Sequence, residues 1–176
     1  KVREFFVGAL SYADVVAIAV GGMEGATSEH AQHGIELAHD VARVAREVES
    51  ETTLQHAATV ASKEIDQDEG EVPCRKLAIR VIPVTPWGNF VPALNALLSF
   101  AANSGVDLIL FQSLETSASP KTIASMTRHL GPRDLVVGVA LQGHAFSEGQ
   151  GRELTGVTTP WNTLAMWDVG KLARIG

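Results

Sequence analysis

Four apolar runs, separated by stretches of helical periodicity, organise this chain. Val15-Val16-Ala17-Ile18-Ala19-Val20 is continuous, rich in β-branched residues and stopped by Gly21-Gly22. Such a run reads as a buried strand of a parallel sheet. Ala78 to Val84 is the second, with Pro83 and Pro86 ending it. Asp107 to Phe111 is the third and Leu135 to Leu141 the fourth. Between the first two, Leu37, Val41, Val44 and Val48 recur at spacings of four, three and four, with Ala38 and Ala45 alongside. That spacing predicts an amphipathic helix. Leu54, Ala57, Ala58, Ala61 and Ile65 continue the pattern, so two helices or one long helix fit the segment. Pro92 to Ala102 predicts a helix with proline in its first turn and Gly105 just past its end. Pro120 to Leu130 predicts another, capped by Ser119 and stopped at Gly131-Pro132. Residues 1–12 fit a helical turn or a strand. The segment 66–74 reads as a solvated acidic loop, and Gln142 to Pro160 as a loop rich in Gly, Ser and Thr. Asn162 to Ile175 is apolar and ends in a short helix around Val169 to Arg174.

The alternation of strand and helix predicts an α/β fold: a single domain over residues 1–176. Its mostly parallel, Rossmann-like sheet would contain Val15–Val20, Ala78–Pro83, Leu108–Phe111 and Leu135–Leu141, with helices on both faces. In such sheets ligands gather beyond the carboxyl ends of strands. Those ends are Gly21–Gly25, Pro83–Asn89, Gln112–Thr116 and Gln142–Phe146.

Composition narrows the function classes. The chain has 176 residues, 45% hydrophobic and 19% charged, which fits a folded domain with its own core. A net charge of −6 argues against a general nucleic-acid binder. The single cysteine, Cys74, cannot form an internal disulfide and fits a reducing, cytoplasmic setting. No 18-residue uncharged apolar run exists, so no membrane segment is expected; Phe5 to Met23 is broken by Asp14 and Gly21-Gly22. Lys1 at the start and Ile175-Gly176 at the end are candidate truncation points.

Several residues could carry chemistry. Gly21-Gly22-Met23-Glu24-Gly25 follows a strand and precedes a helix, where backbone can approach phosphate; a plain tight turn fits it equally well. His30 and His33 share a helix face at metal-ligand spacing, but their polar surroundings favour a solvated face. Trp161 and Asn162 could stack on and hydrogen-bond a sugar, or close the core. Asp168 could join the same mouth, but reads better as a helix cap. Arg128, Arg133 and Arg152 are candidates for phosphate contact, with nothing in the sequence to choose among them. Arg75 and Lys76 beside Cys74 could lower its pKa, but no His-paired setting is visible.

From Arg80 to Gly176 the chain resembles the GT-A nucleotide-sugar glycosyltransferases, especially their family-2-like branch. The resemblance rests on Arg80-Val81-Ile82-Pro83, Gly88-Asn89, Ala93-Leu94-Asn95, Gly105 to Gln112 and Val136-Val137-Gly138-Val139, with Asn162 to Gly176 resembling a later stretch. The family's Asp-x-Asp is replaced here by Ser113-Leu114-Glu115. The resemblance implies a GT-A fold and transfer of a hexosyl group from a nucleotide-sugar donor, or a non-catalytic relative that binds a nucleotide or a partner. It implies donor contacts at Gly21, Gly22, Glu24, Asn95 and Ser113. It implies Mg²⁺ or Mn²⁺ held by Glu115 and His144, and acceptor contacts at Trp161, Asn162 and Asp168. A Rossmann-like nucleotide binder built on Gly21–Gly25 is the third reading.

Overall fold

The computed structural model describes residues 1–21, 29–63, 78–85 and 90–175, with backbone alone at 29–33 and 56–63. The chain divides into two compact units, Lys1–Leu97 and Leu98–Gly176.

The first unit holds α1 (Val2–Leu10), β1 (Val15–Gly21), α2 (Glu29–Lys63), β2 (Ala78–Val84) and the start of α3 (Phe90–Asn103). β1 and β2 pair in parallel, in register from Val15 opposite Ala78 to Gly21 opposite Val84. Parallel neighbours need a long crossover, and α2 lies within it, packing on both strands and on α1. Phe6, Ala9 and Leu10 of α1, Val16 and Val20 of β1, Val41, Ala45 and Val48 of α2, and Ile79 of β2 form one apolar cluster. Leu37 stays 52% exposed, so the buried stripe of α2 runs through Ala38, Val41, Ala45 and Val48. α2 is one continuous helix. At the polar stretch around Thr52 and Thr53, both hydroxyls donate back to the carbonyls of Val48 and Glu49, each at 2.7 Å. These threonines therefore satisfy their hydroxyls inside the helix instead of ending it.

The second unit holds the rest of α3, β3 (Leu108–Gln112), α4 (Pro120–His129), β4 (Val136–Gly138), β5 (Leu164–Asp168) and α5 (Val169–Leu172). Its sheet has the order β3-β5-β4. β5 is antiparallel to both neighbours, with Leu108 opposite Asp168 on one side and Val136 opposite Trp167 on the other. Three successive β5 residues, Leu164, Ala165 and Met166, are at most 4% exposed. α4 contributes Ile123 and Met126 to the core, and its Thr127 hydroxyl meets the Met166 sulfur at 3.6 Å. Ser119 caps α4 by accepting from the Thr122 N–H at 3.1 Å. Gly105 ends α3 at φ +68°, a left-handed conformation that favours glycine.

The expected single, mostly parallel Rossmann-like or GT-A sheet is therefore corrected. Each of the four apolar runs contains a strand, the fourth over Val136–Gly138 alone instead of Leu135 to Leu141, but they lie in a two-stranded parallel sheet and a separate three-stranded antiparallel one. The cause is β5. It takes the edges of β3 and β4 that a wholly parallel sheet would have paired with each other. No described helix is long and apolar enough to cross a membrane.

Phe6 is fully buried at the centre of the first unit's cluster. Phe6→Ala should destabilise the protein by about 3–5 kcal/mol, through lost burial and the cavity left behind. Urea denaturation would read this as a lower midpoint for the first unit.

Candidate functional site

The carboxyl end of β4 opens onto the loop from Val139 to Thr163, which the second unit folds into a cavity of about 230 Å³. Local pairing builds the loop. The Ala145 N–H donates to the Val157 carbonyl at 2.8 Å. Leu141 to His144 is a tight turn closed by the His144 N–H on the Leu141 carbonyl at 3.1 Å. Gly143 sits inside that turn at φ +100°, and a Cβ there would lie 3.2 Å from the Trp161 ring. Glycine thus serves both the turn and the close approach of the indole. Gly138, at the end of β4, faces Pro160 so closely that a Cβ would come within 2.4 Å of the proline Cβ.

The turn fixes His144. Its Nδ1 accepts the Leu141 N–H at 2.8 Å, and its ring packs on Trp161 with centroids 4.2 Å apart. Trp161 is held in turn by its indole N–H on the Gly156 carbonyl at 2.7 Å. Because Nδ1 accepts, the neutral ring must carry its proton on Nε2. That nitrogen is buried and has no hydrogen-bond partner. It is a donor withdrawn from water, on a residue of the cavity wall.

The rest of the wall is apolar at Val139, Ala140, Val157 and Pro160, and polar at Ser147, Gln150, Arg152 and Thr158. Arg152 donates to the Ser147 hydroxyl at 3.0 Å and to the Gln150 amide oxygen at 3.2 Å. Both acceptors are neutral. Among the described residues no carboxylate lines the cavity, although the chain has 20 acidic and 14 basic residues.

The expected site residues are mostly dispersed. Gly22 and Glu24 lie outside the described residues, as do Cys74 and the acidic segment 66–74, and the side chains of His30 and His33. Gly21 ends β1, and Asn95 is exposed on α3. The Ser113 hydroxyl is engaged with that of Thr116 at 2.9 Å, in a turn whose outer residue is the exposed Glu115. Asn162 accepts the Trp167 indole N–H at 2.9 Å. Asp168 caps α5, taking the Lys171 N–H at 2.8 Å and its ammonium at 2.9 Å. Among the described candidates, His144 and Trp161 come together.

No family model, curated protein or solved structure matches the chain.

Among the described residues no three His, Cys, Asp or Glu side chains gather to hold a divalent cation. In the observed hydrogen-bond arrangement His144 offers an N–H at Nε2 instead of a lone pair. Arg152, Ser147 and Thr158 carry the polar wall instead. The sequence offered Arg152 as one of three equivalent arginines, and gave no reason to pick the loop hydroxyls.

Two measurements check this geometry. Nitrogen-15 NMR at a pH where the imidazole is neutral should find His144 in the Nε2–H tautomer. Asp168 should titrate below the usual carboxylate range, because the hydrogen bond from Lys171 stabilises its charged form. Its capping contribution is therefore complete at neutral pH and is lost as pH falls through that lowered pKa. The Lys171 amide shift should follow this transition, and Asp168→Asn should abolish it.

Proposed function

We propose that the second unit binds a small molecule through a phosphate or similar oxyanion, and that nucleotide sugars are the ligand class to which it belongs. One observation carries the reading. In a chain of net charge −6, the cavity beside β4 combines Arg152 with the Ser147 hydroxyl, and among the described residues no carboxylate lines its wall. An oxyanion accepts from the Arg152 guanidinium and from the Ser147 hydroxyl, which takes the Arg152 N–H and so keeps its own proton to give. The planar guanidinium suits its spaced oxygens, and charge-assisted bonds are the strong ones. A cavity of about 230 Å³ falls short of the roughly 300–1,000 Å³ typical of whole-ligand pockets. It therefore suits one group of a larger molecule. The nucleotide-sugar assignment draws on the resemblance that spans Arg80 to Gly176, in which Ser113-Leu114-Glu115 stands in place of the family's Asp-x-Asp.

Hexosyl transfer from such a donor is a second reading, drawn from the same resemblance, and the carboxylate missing at Ser113 weighs toward binding without catalysis. It would be seen as release of a nucleoside diphosphate from UDP-glucose or GDP-mannose in the presence of an acceptor.

Calorimetric titration of inorganic phosphate, UDP, UDP-glucose and GDP-mannose tests the binding reading. At least one should bind, and Arg152→Ala should weaken it about 10- to 100-fold. That range corresponds to the roughly 1.5–3 kcal/mol of a hydrogen bond to a charged group. No heat with any of the four, or equal affinity in the variant, overturns it.

A further inference from the structure

Phe146 lines the same cavity yet stays 68% exposed. Val157, also in the wall, is 48% exposed. Isolated exposed apolar residues are ordinary on protein surfaces, but this one has a particular setting. Phe146 directly precedes Ser147, the residue that takes the Arg152 guanidinium at 3.0 Å. The pairing of Ala145 with Val157 at 2.8 Å fixes the backbone on the other side of Phe146. One short, hydrogen-bonded stretch therefore carries a water-facing aromatic ring immediately beside a cationic clamp. An aromatic face in that position is available to a flat ring, whereas Arg152 and Ser147 are available to an anion.

We infer that the ligand is a phosphate ester of a flat aromatic ring, the ring laid on Phe146 and the phosphate held by Arg152 and Ser147. The inference rests on the anion-binding reading above and adds the second recognition element. Ring stacking on an aromatic side chain contributes roughly 1–3 kcal/mol, enough to separate an aromatic ester from a plain sugar phosphate. The chemistry is shared by a nucleotide, whose base supplies the ring, and by a simple aryl phosphate.

The test compares phenyl phosphate, UMP, glucose 1-phosphate and inorganic phosphate on the full chain, read by calorimetry and by tryptophan fluorescence. Phenyl phosphate or UMP should bind about 10-fold tighter than glucose 1-phosphate and inorganic phosphate. Phe146→Ala should erase that preference while leaving inorganic phosphate binding unchanged, and Phe146→Leu should reduce it. Because Phe146 is exposed, both variants should keep the wild-type circular dichroism spectrum. Equal affinity for all four compounds in the wild type, or a preference that survives Phe146→Ala, overturns the ring inference. If Arg152→Ala still weakens binding in that case, the anion reading stands alone. If none of the four binds, or Arg152→Ala has no effect, the anion reading falls and this inference falls with it.

Discussion

Leu164, Ala165 and Met166 are withdrawn from water in succession, so every backbone N–H and C=O along this part of β5 must find a partner within the protein. Pairing with β3 on one edge and β4 on the other supplies those partners. The second unit is arranged by that requirement. β5 holds apart two strands that run parallel to each other, and α4, which connects them in the chain, packs its Ile123 and Met126 inward. At the last residue of β5, Asp168 turns the chain into α5 by accepting the Lys171 N–H. The strand also fixes the return of the chain from the long loop, where Pro160 lies against Gly138.

The cavity is a consequence of the same return. Once Pro160 and Trp161 are anchored, residues 139–159 must fold back over the end of β4. They do so through turns and side-chain hydrogen bonds of their own. The histidine is positioned by one tight turn and one indole, and the arginine by a hydroxyl and an amide. Arg152 is satisfied geometrically by neutral oxygens, which stabilise it less than a carboxylate would and leave its attraction for an anion intact. Arg43, by contrast, meets Asp40 and Glu47 directly, and Lys171 meets Asp168.

The residues proposed for sugar chemistry show why candidate sites are hard to choose from sequence. Asn162 and Asp168 have the right functional groups, but each is engaged by a neighbour in the chain: the Trp167 indole and the α5 amide with its lysine. Ser113 is likewise occupied by Thr116 within one turn. A polar side chain's chemical type says what it can bond. Which bond it makes depends on the donors and acceptors that folding brings within about 3 Å.

By itself the sequence determined the local elements. Four apolar runs each supplied a strand, the three- and four-residue periodicity became α2, and Ser119-Pro120 and Gly105 became helix boundaries, because these signals act over a few residues of chain. Tertiary structure alone decided that β5 exists, that it runs antiparallel through the middle of a sheet, and that the strands divide between two sheets. Leu164-Ala165-Met166 shows no alternation because the strand is buried on both faces, and neither alanine nor methionine favours strands on its own. Arg152 was likewise indistinguishable from Arg128 and Arg133 until the loop closed. Pairing partners and cavity walls are set by contacts between residues far apart in the chain, and a local pattern of apolar and polar positions carries no record of which distant edge or side chain will meet it.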